Sequence, residues 1–387
     1  MMLKGKAPVK GSSMLGGGTK LAPVLPVRGV AGVTHTHTHT QSSRKELLDS
    51  RLYRRTVADH AYWENYLTTD RYFKNMLSLP SSRIIRALAG PLASVALTST
   101  IVCTYETLRS QGILPPEFPS ILMPNNTPLQ LTSFAVSLLL VFRTNQSYDR
   151  WWEARKIWGG VLNRVRDIVT QAVVFIPEDE KELRIAMRNW TIAFTRTLEA
   201  HLQGKLVSRD LKSNLENVLS PKELDMVMNS QHKVVKCLSV MGEISLQAPI
   251  NSIERQMLMG NVQTFYDYLG MCERIMRTPL PLTYTRHTAR FLFFWICSLP
   301  FALYGSFGWG CIPIALVIST LLLGIDEIGV QIEEPFGVLP LDAICARAEI
   351  DMRSIVADQP ECADLVREMK PAGSTPPKPR QVPIEAR

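Results

Sequence analysis

A run of 35 residues, 291–325, without a single charged side chain narrows what this chain can fold into more than anything else in its sequence. One helical crossing of a hydrocarbon core about 30 Å thick needs only about 20 residues. Gly305, Gly308, Gly310 and Pro313 punctuate the run, so the pattern predicts two helices joined by a tight turn, from about 290 to 306 and from about 312 to 329. Pro300 inside the first is expected to kink it, a feature membrane helices tolerate when neighbours satisfy the freed carbonyl. Two shorter uncharged runs precede it: 19 residues over 87–105, between Arg86 and Glu106, and 25 residues over 118–142, between Glu117 and Arg143. Pro119, Pro124, Asn125 and Asn126 fill the first third of the latter. Its helix is therefore expected to start near Thr127 as N-cap, with Pro128 at the first helical position.

Charge orders these four spans. Arg83, Arg86, Arg143, Arg150, Arg155, Lys156, Arg286 and Arg290 flank one set of ends, whereas the short connections on the other side hold only Glu106, Arg109 and Glu117, or no charge. The positive-inside rule then places both termini and the large middle region in one compartment. The net charge of +8 does not indicate nucleic acid. Seven of the positive charges fall in the first 45 residues, and many others flank the apolar runs. Seven cysteines without paired spacing argue against a disulfide framework or a zinc site. Cys103, Cys297 and Cys311 fall in apolar runs, where a thiol behaves as a small hydrophobe.

Residues 1–45 contain no acid and are rich in Lys, Ser, Thr, Gly and Pro, a composition that reads as an organelle transit peptide, with the plastid favoured. The His35, His37 and His39 repeat within it lacks the supporting partners that metal affinity depends on. The middle region is charged but helical in rhythm. KELRIAMRNWTIAFTRTLEAHLQ sets Leu183, Met187, Trp190, Ile192 or Phe194, and Leu198 on one stripe, and SIERQMLMGNVQTFYDYLGMCERI repeats the pattern. The expected architecture is thus an all-α membrane protein of four transmembrane helices plus a helical bundle. Its predicted segments are a leader (1–45), an amphipathic N-terminal segment (46–86), a first hairpin (87–143), a soluble helical domain (144–289), a second hairpin (290–330), C-terminal helices (331–370) and a disordered Pro-rich tail (371–387).

The string LLLVFRTNQSYDRWWEARKIWG at 138–159 resembles the signature of the bestrophin family in its plant and bacterial branch. CERIMRTPLPLTYTRH at 272–287 and EEPFGVLPLDAIC at 333–345 agree with it, and the likeness spans roughly 44–369. The leader points to the thylakoid chloride channels and related algal bicarbonate channels. The resemblance implies a homopentamer with one central pore lined by the second span, with chloride, bicarbonate or similar small anions as the transported species and membrane lipid around it. It also implies an apolar neck at Phe134, Leu138 and Phe142 and an inner aperture at Ile253. The neck positions recur every four residues and so share a helix face, and fivefold symmetry would make each a ring. Such rings gate by dewetting, and aromatic edges favour an anion over a cation.

Arg143 and Asn145 follow the neck. A ring of five Arg would concentrate anions and Asn would replace water around them. Equally, Arg143 is a positive flank or the partner of an acid such as Asp149 or Glu153. Trp151 and Trp152 read as interfacial or packing residues. Asp326, Glu327, Glu333, Glu334 and Glu106 read as partners of the basic segments, with proton relay the alternative. Animal bestrophins follow their PFG with an acidic run that helps clasp calcium. Here Val338, Leu339, Pro340, Leu341 and Asp342 follow it, and one carboxylate does not supply the six to eight oxygens calcium favours. Calcium-independent opening is therefore expected, with no cofactor and no resident metal. No hydrolase, P-loop or metalloprotease motif occurs, and His60, His201, His232 and His287 are far apart in the sequence, so an enzyme is not expected. A proton-coupled anion carrier is the nearest rival, though the two hairpins share no internal repeat.

Overall fold

The computed structural model describes residues 58, 60–78, 82–204 and 210–369. The expected leader, its His repeat and the Pro-rich tail lie outside them. Among the described residues there is helix and no strand. Three short helices, α1 (His60–Tyr66), α2 (Arg71–Leu77) and α3 (Arg83–Ala87), lead into α4 (Ala89–Ser110), which covers the first uncharged run.

The second run opens α5 (Thr127–Phe175), a helix of 49 residues and thus about 70 Å long at 1.5 Å per residue. Its N-cap is Asn126, so Thr127 lies one position further inside than expected. The Asn125 carboxamide oxygen accepts from the Thr127 N–H at 2.9 Å and from its hydroxyl at 2.6 Å, and Pro128 follows where no intrahelical donor is needed. The expected boundary at 143/144 is not a break in the chain. Residues 144–175 continue the same helix, because the periodic burial of Ala154, Ile157, Trp158, Val161, Val165, Ile168 and Val169 takes over where the uncharged run ends.

Five helices then form the bundle with the second half of α5: α6 (Lys181–Gln203), α7 (Leu211–Glu216), α8 (Pro221–Met228), α9 (Lys233–Gln247) and α10 (Ser252–Arg277). On α6 the residues read as a stripe from spacing are buried, with Met187, Trp190, Ile192, Phe194 and Leu198 in the core, but Thr191, Ala193, Thr195 and Thr197 between them are buried too, so the second half of the helix is enclosed on nearly every side. On α10 an Asn251–Glu254 capping box fixes the first turn: Asn251 Oδ1 accepts from the Glu254 N–H at 2.9 Å, and Glu254 Oε2 accepts from the Asn251 N–H at 3.1 Å. Phe194 and Phe265 meet across α6 and α10 with ring centroids 4.5 Å apart.

The 35-residue run resolves into α11 (Leu282–Phe307) and α12 (Cys311–Glu333), joined by a 3-10 turn over Gly308–Gly310. Gly308 has φ of 52°, a conformation glycine adopts without steric cost. The interval Leu282–Glu333 is long and apolar enough, by length and composition, to cross a membrane. Pro300 lies inside α11, and the neighbouring Phe301 carbonyl accepts from the Met123 N–H at 3.0 Å. A second core ties α4, α5, α11 and α12 together through Val95, Val136, Leu140, Leu292, Ile296, Leu299 and Ala315. At the turn end, the thiols of Cys103 and Cys311 touch at 3.2 Å, and Trp309 Nε1 donates to Thr107 Oγ1 at 3.1 Å. α13 (Leu341–Glu368) closes the bundle against α5 and α6, with Arg166 donating to Asp351 at 2.6 Å.

Candidate functional site

The first half of α5 has two unlike faces. At about 100° per residue, Val136, Leu140, Arg143 and Ser147 lie on the side opposite Phe134 and are buried against α11 and α12. Phe134, Leu138 and Phe142 share the other side, and they stand 73%, 41% and 52% exposed. Leu131 and Val141 widen this bare stripe. Asn145, also exposed, returns to within about 20° of Phe134 at 3.6 residues per turn, so it continues the stripe towards the bundle. Ile253 is not on this helix. It sits in the capped first turn of α10, 67% exposed.

Arg143 lies on the packed face, only 5% exposed, and is ion-paired to Asp326 of α12. Its acid partner is Asp326 and not Asp149 or Glu153. Glu153 instead pairs with Arg274 of α10. The other acids near the apolar helices differ: Glu106 has a basic partner, whereas Glu327 and Glu333 accept from a neutral amide and from a backbone N–H. Glu106 accepts from Arg109, Ser120 and the Ile121 N–H at 2.8–3.0 Å, pinning the connection after α4, and Glu327 accepts from Gln331 at 2.7 Å. Trp151 packs on the bundle core and Trp152 is exposed beside it.

Several organising contacts were not visible in the sequence. Arg150, which reads there only as a basic flank, donates to the carbonyls of Ile275 at 2.7 Å, Thr278 at 2.6 Å and Glu333 at 3.1 Å. One guanidinium thereby caps the C-terminal ends of both α10 and α12 where the apolar helices meet the bundle. At Gly160 an added Cβ would stand 2.5 Å from the Tyr268 hydroxyl, so the glycine makes room on α5 for the tip of the Tyr268 ring from α10. The Pro335–Gly337 turn is buried, as are Leu339 and Leu341 after it. Two histidines that are far apart in the sequence do meet: the rings of His201 and His232 are 5.0 Å apart and share Glu273.

In the bundle, burial pushes the Glu199 carboxyl up, and Asp342 adds to that, while Arg196 opposes it. Burial likewise raises the thiols of Cys237 and Cys272 to about 12. Both are therefore inert structural groups at neutral pH.

The geometry is that of a two-faced helix whose bare side is apolar and whose packed side is pinned by an ion pair. Comparison with known proteins gives it a family. The family described as Bacterial/Fungal Bestrophin protein matches residues 66–354. The chloroplastic voltage-dependent chloride channel 2 of Arabidopsis thaliana is 32% identical over 296 residues, covering 76% of this chain and 71% of its own length. A voltage-dependent anion channel-forming protein of Nostoc sp. is 33% identical over 276 residues, 68% of this chain and 84% of its own. Among solved structures, a bacterial bestrophin homolog from Klebsiella pneumoniae shares 25% identity with a TM-score of 0.62, over 70% of this chain and 98% of that one. The chain belongs to the bestrophin family.

Proposed function

We propose that this protein is the subunit of an anion channel in a chloroplast membrane, the thylakoid, with four membrane spans formed by α4, the first half of α5, α11 and α12. Five copies surround one axis with the stripe of Phe134, Leu138 and Phe142 turned inward, and each position becomes an apolar ring. Chloride, bicarbonate or both pass through it, adjusting ion balance or carbon supply. The observation that carries this reading is the bare stripe itself. The first half of α5 leaves a contiguous apolar face unpacked, opposite the face that its own chain buries, as α12 does with Val317, Leu321, Ile325 and Ile328, and such faces are completed by lipid or by other copies. Continuity along α5 favours the axis over lipid, because the stripe runs on into Asn145 and then into the charged bundle, where lipid tails end.

In this arrangement Asn145 meets the ion below the neck, and Ile253 lines the inner aperture on the stromal side. Arg143 acts as a positioning residue: its bond to Asp326 holds α5 against α12 and so sets which face looks inward. Opening does not require calcium, since residues 338–342 offer one carboxylate and insert Leu339 and Leu341 into the core. Purified protein in a planar bilayer, under chloride against bicarbonate gradients, tests the reading. Stepwise ohmic currents with an anion-selective reversal potential, retained when calcium is chelated, are expected. Saturable flux coupled to pH without unitary steps would mean a proton-coupled carrier instead.

A further inference from the structure

Away from the stripe, three residues from distant parts of the chain converge on the bundle surface. His201 lies in the last turn of α6, His232 is the N-cap of α9, and Glu273 lies on α10. One ligand atom from each, a ring nitrogen of either histidine and a carboxylate oxygen of Glu273, lies within 4.8 Å of the other two. The two nitrogens stand 2.8 and 3.3 Å from the same carboxylate oxygen, and all three side chains are partly exposed beside a cleft that Thr197, Leu211 and Gln231 also line.

We propose that these three side chains form a binding site for a divalent transition metal of the Zn2+ class, clamping α6, α9 and α10 together. Two imidazoles and one carboxylate, with water in the fourth position, are a recurrent donor set for Zn2+. Donors about 2.1 Å from a tetrahedral ion are about 3.4 Å apart, so the His232 pair at 3.3 Å is already near that spacing and the His201 pair at 2.8 Å opens by about 0.6 Å. Arg277 is 3.5 Å from the same Glu273 oxygen on a mostly exposed side chain, and it swings out as the metal enters.

Metal binding leaves a mark on the fold. Without metal, His232 Nδ1 accepts from the Val235 N–H at 3.3 Å, which places the ring proton on Nε2. When Nε2 takes the metal, that proton moves to Nδ1, no proton is lost overall, and the Val235 N–H gives up its cap. The first turn of α9 therefore loosens as the three helices are cross-linked.

The test is a Co2+ titration of the full-length purified protein, followed by Zn2+ competition. One Co2+ per subunit with the intense visible bands of four-coordinate cobalt is expected, displaced by Zn2+. His201→Gln and His232→Gln each weaken binding by at least about 10–100-fold, the cost seen when even a supporting partner of a metal ligand is lost. His287→Gln, on α11, leaves it unchanged. As a readout independent of affinity, Zn2+ raises the thermal midpoint of the wild type and not of His201→Gln. Should His201→Gln prove misfolded by circular dichroism, amide exchange at Val235 in the wild type replaces it, and is expected to be faster with Zn2+ than without. Stoichiometric binding that survives both substitutions, absence of binding by the wild type, or unchanged Val235 exchange on saturation would overturn the proposal.

Discussion

The two halves of α5 are one helix under two regimes. Residues 154–173 are buried on several sides by α6, α10 and α13, and their core is completed by the chain itself. Residues 131–142 are buried on one side only, and the other side carries large apolar side chains into open space. The contrast marks where one subunit ends as a folding problem. The distal half is an ordinary packed interior, whereas the proximal half is finished by something outside the chain. Arg150 and the Arg143–Asp326 pair sit at the change of regime and hold the two halves to the same neighbours.

Disturbing the ion pair at that junction has the largest expected effect. Asp326→Leu strands the buried Arg143 charge and is expected to cost about 3–5 kcal/mol, whereas Arg143→Met with Asp326→Leu recovers most of it, because well-packed apolar groups replace a buried pair at little cost. Thermal unfolding of the two variants in lipid nanodiscs reads the difference, and equal losses would show that the pair does not pin α5. Next comes Gly160→Ala in the packed half. The new Cβ meets the Tyr268 ring, Cζ at 2.7 Å, and about 1–3 kcal/mol is expected from overpacking. The same Gly→Ala change at Gly242, where a Cβ meets nothing within 4 Å, is the control and is expected to be neutral or stabilising through helix propensity.

The acid response of the bundle around that packed half, at Glu199 of α6, is smaller and has a definite sign. With its folded-state carboxyl raised by burial, Glu199 contributes stability that is full below its ordinary value of about 4.5 and lost as pH rises through the raised value. Glu199→Gln keeps a neutral side chain, so its stability relative to wild type is expected to climb as pH increases from 4 to 8 in urea melts. A flat difference would contradict the role of burial. Smallest of all in stability is the bare face: Phe134→Ala removes a 73% exposed ring and is expected to change the folding stability of the subunit by no more than about 0.5 kcal/mol. A loss of several kcal/mol would mean the ring is part of a packed interior.

How much of this was legible follows from the same contrast. Uncharged runs and periodic stripes are local properties, so α4, the α11–α12 turn at Gly308, and the buried faces of α6 and α10 could be read directly. The continuity of α5 past Arg143 was obscured because the helix changes environment without changing conformation, and a composition shift resembles a boundary. Partners were not legible where chemistry converges from distant positions. Nothing near Arg143 or Arg150 in the sequence points to Asp326 or to the carbonyls of Ile275 and Glu333, and His201, His232 and Glu273 approach only once three helices have packed. The charge at 143 and, at about 100° per residue, its place opposite Phe134 follow from the sequence; its partner on α12 does not.

Whether the bare face of α5 lines the ion path is decided by unitary currents of Leu138→Ala and Phe142→Ala in a planar bilayer. Both substitutions are expected to shift conductance or anion preference several-fold while subunit stability and assembly stay at wild-type levels. Currents indistinguishable from wild type in both variants would refute that placement and return the face to the lipid.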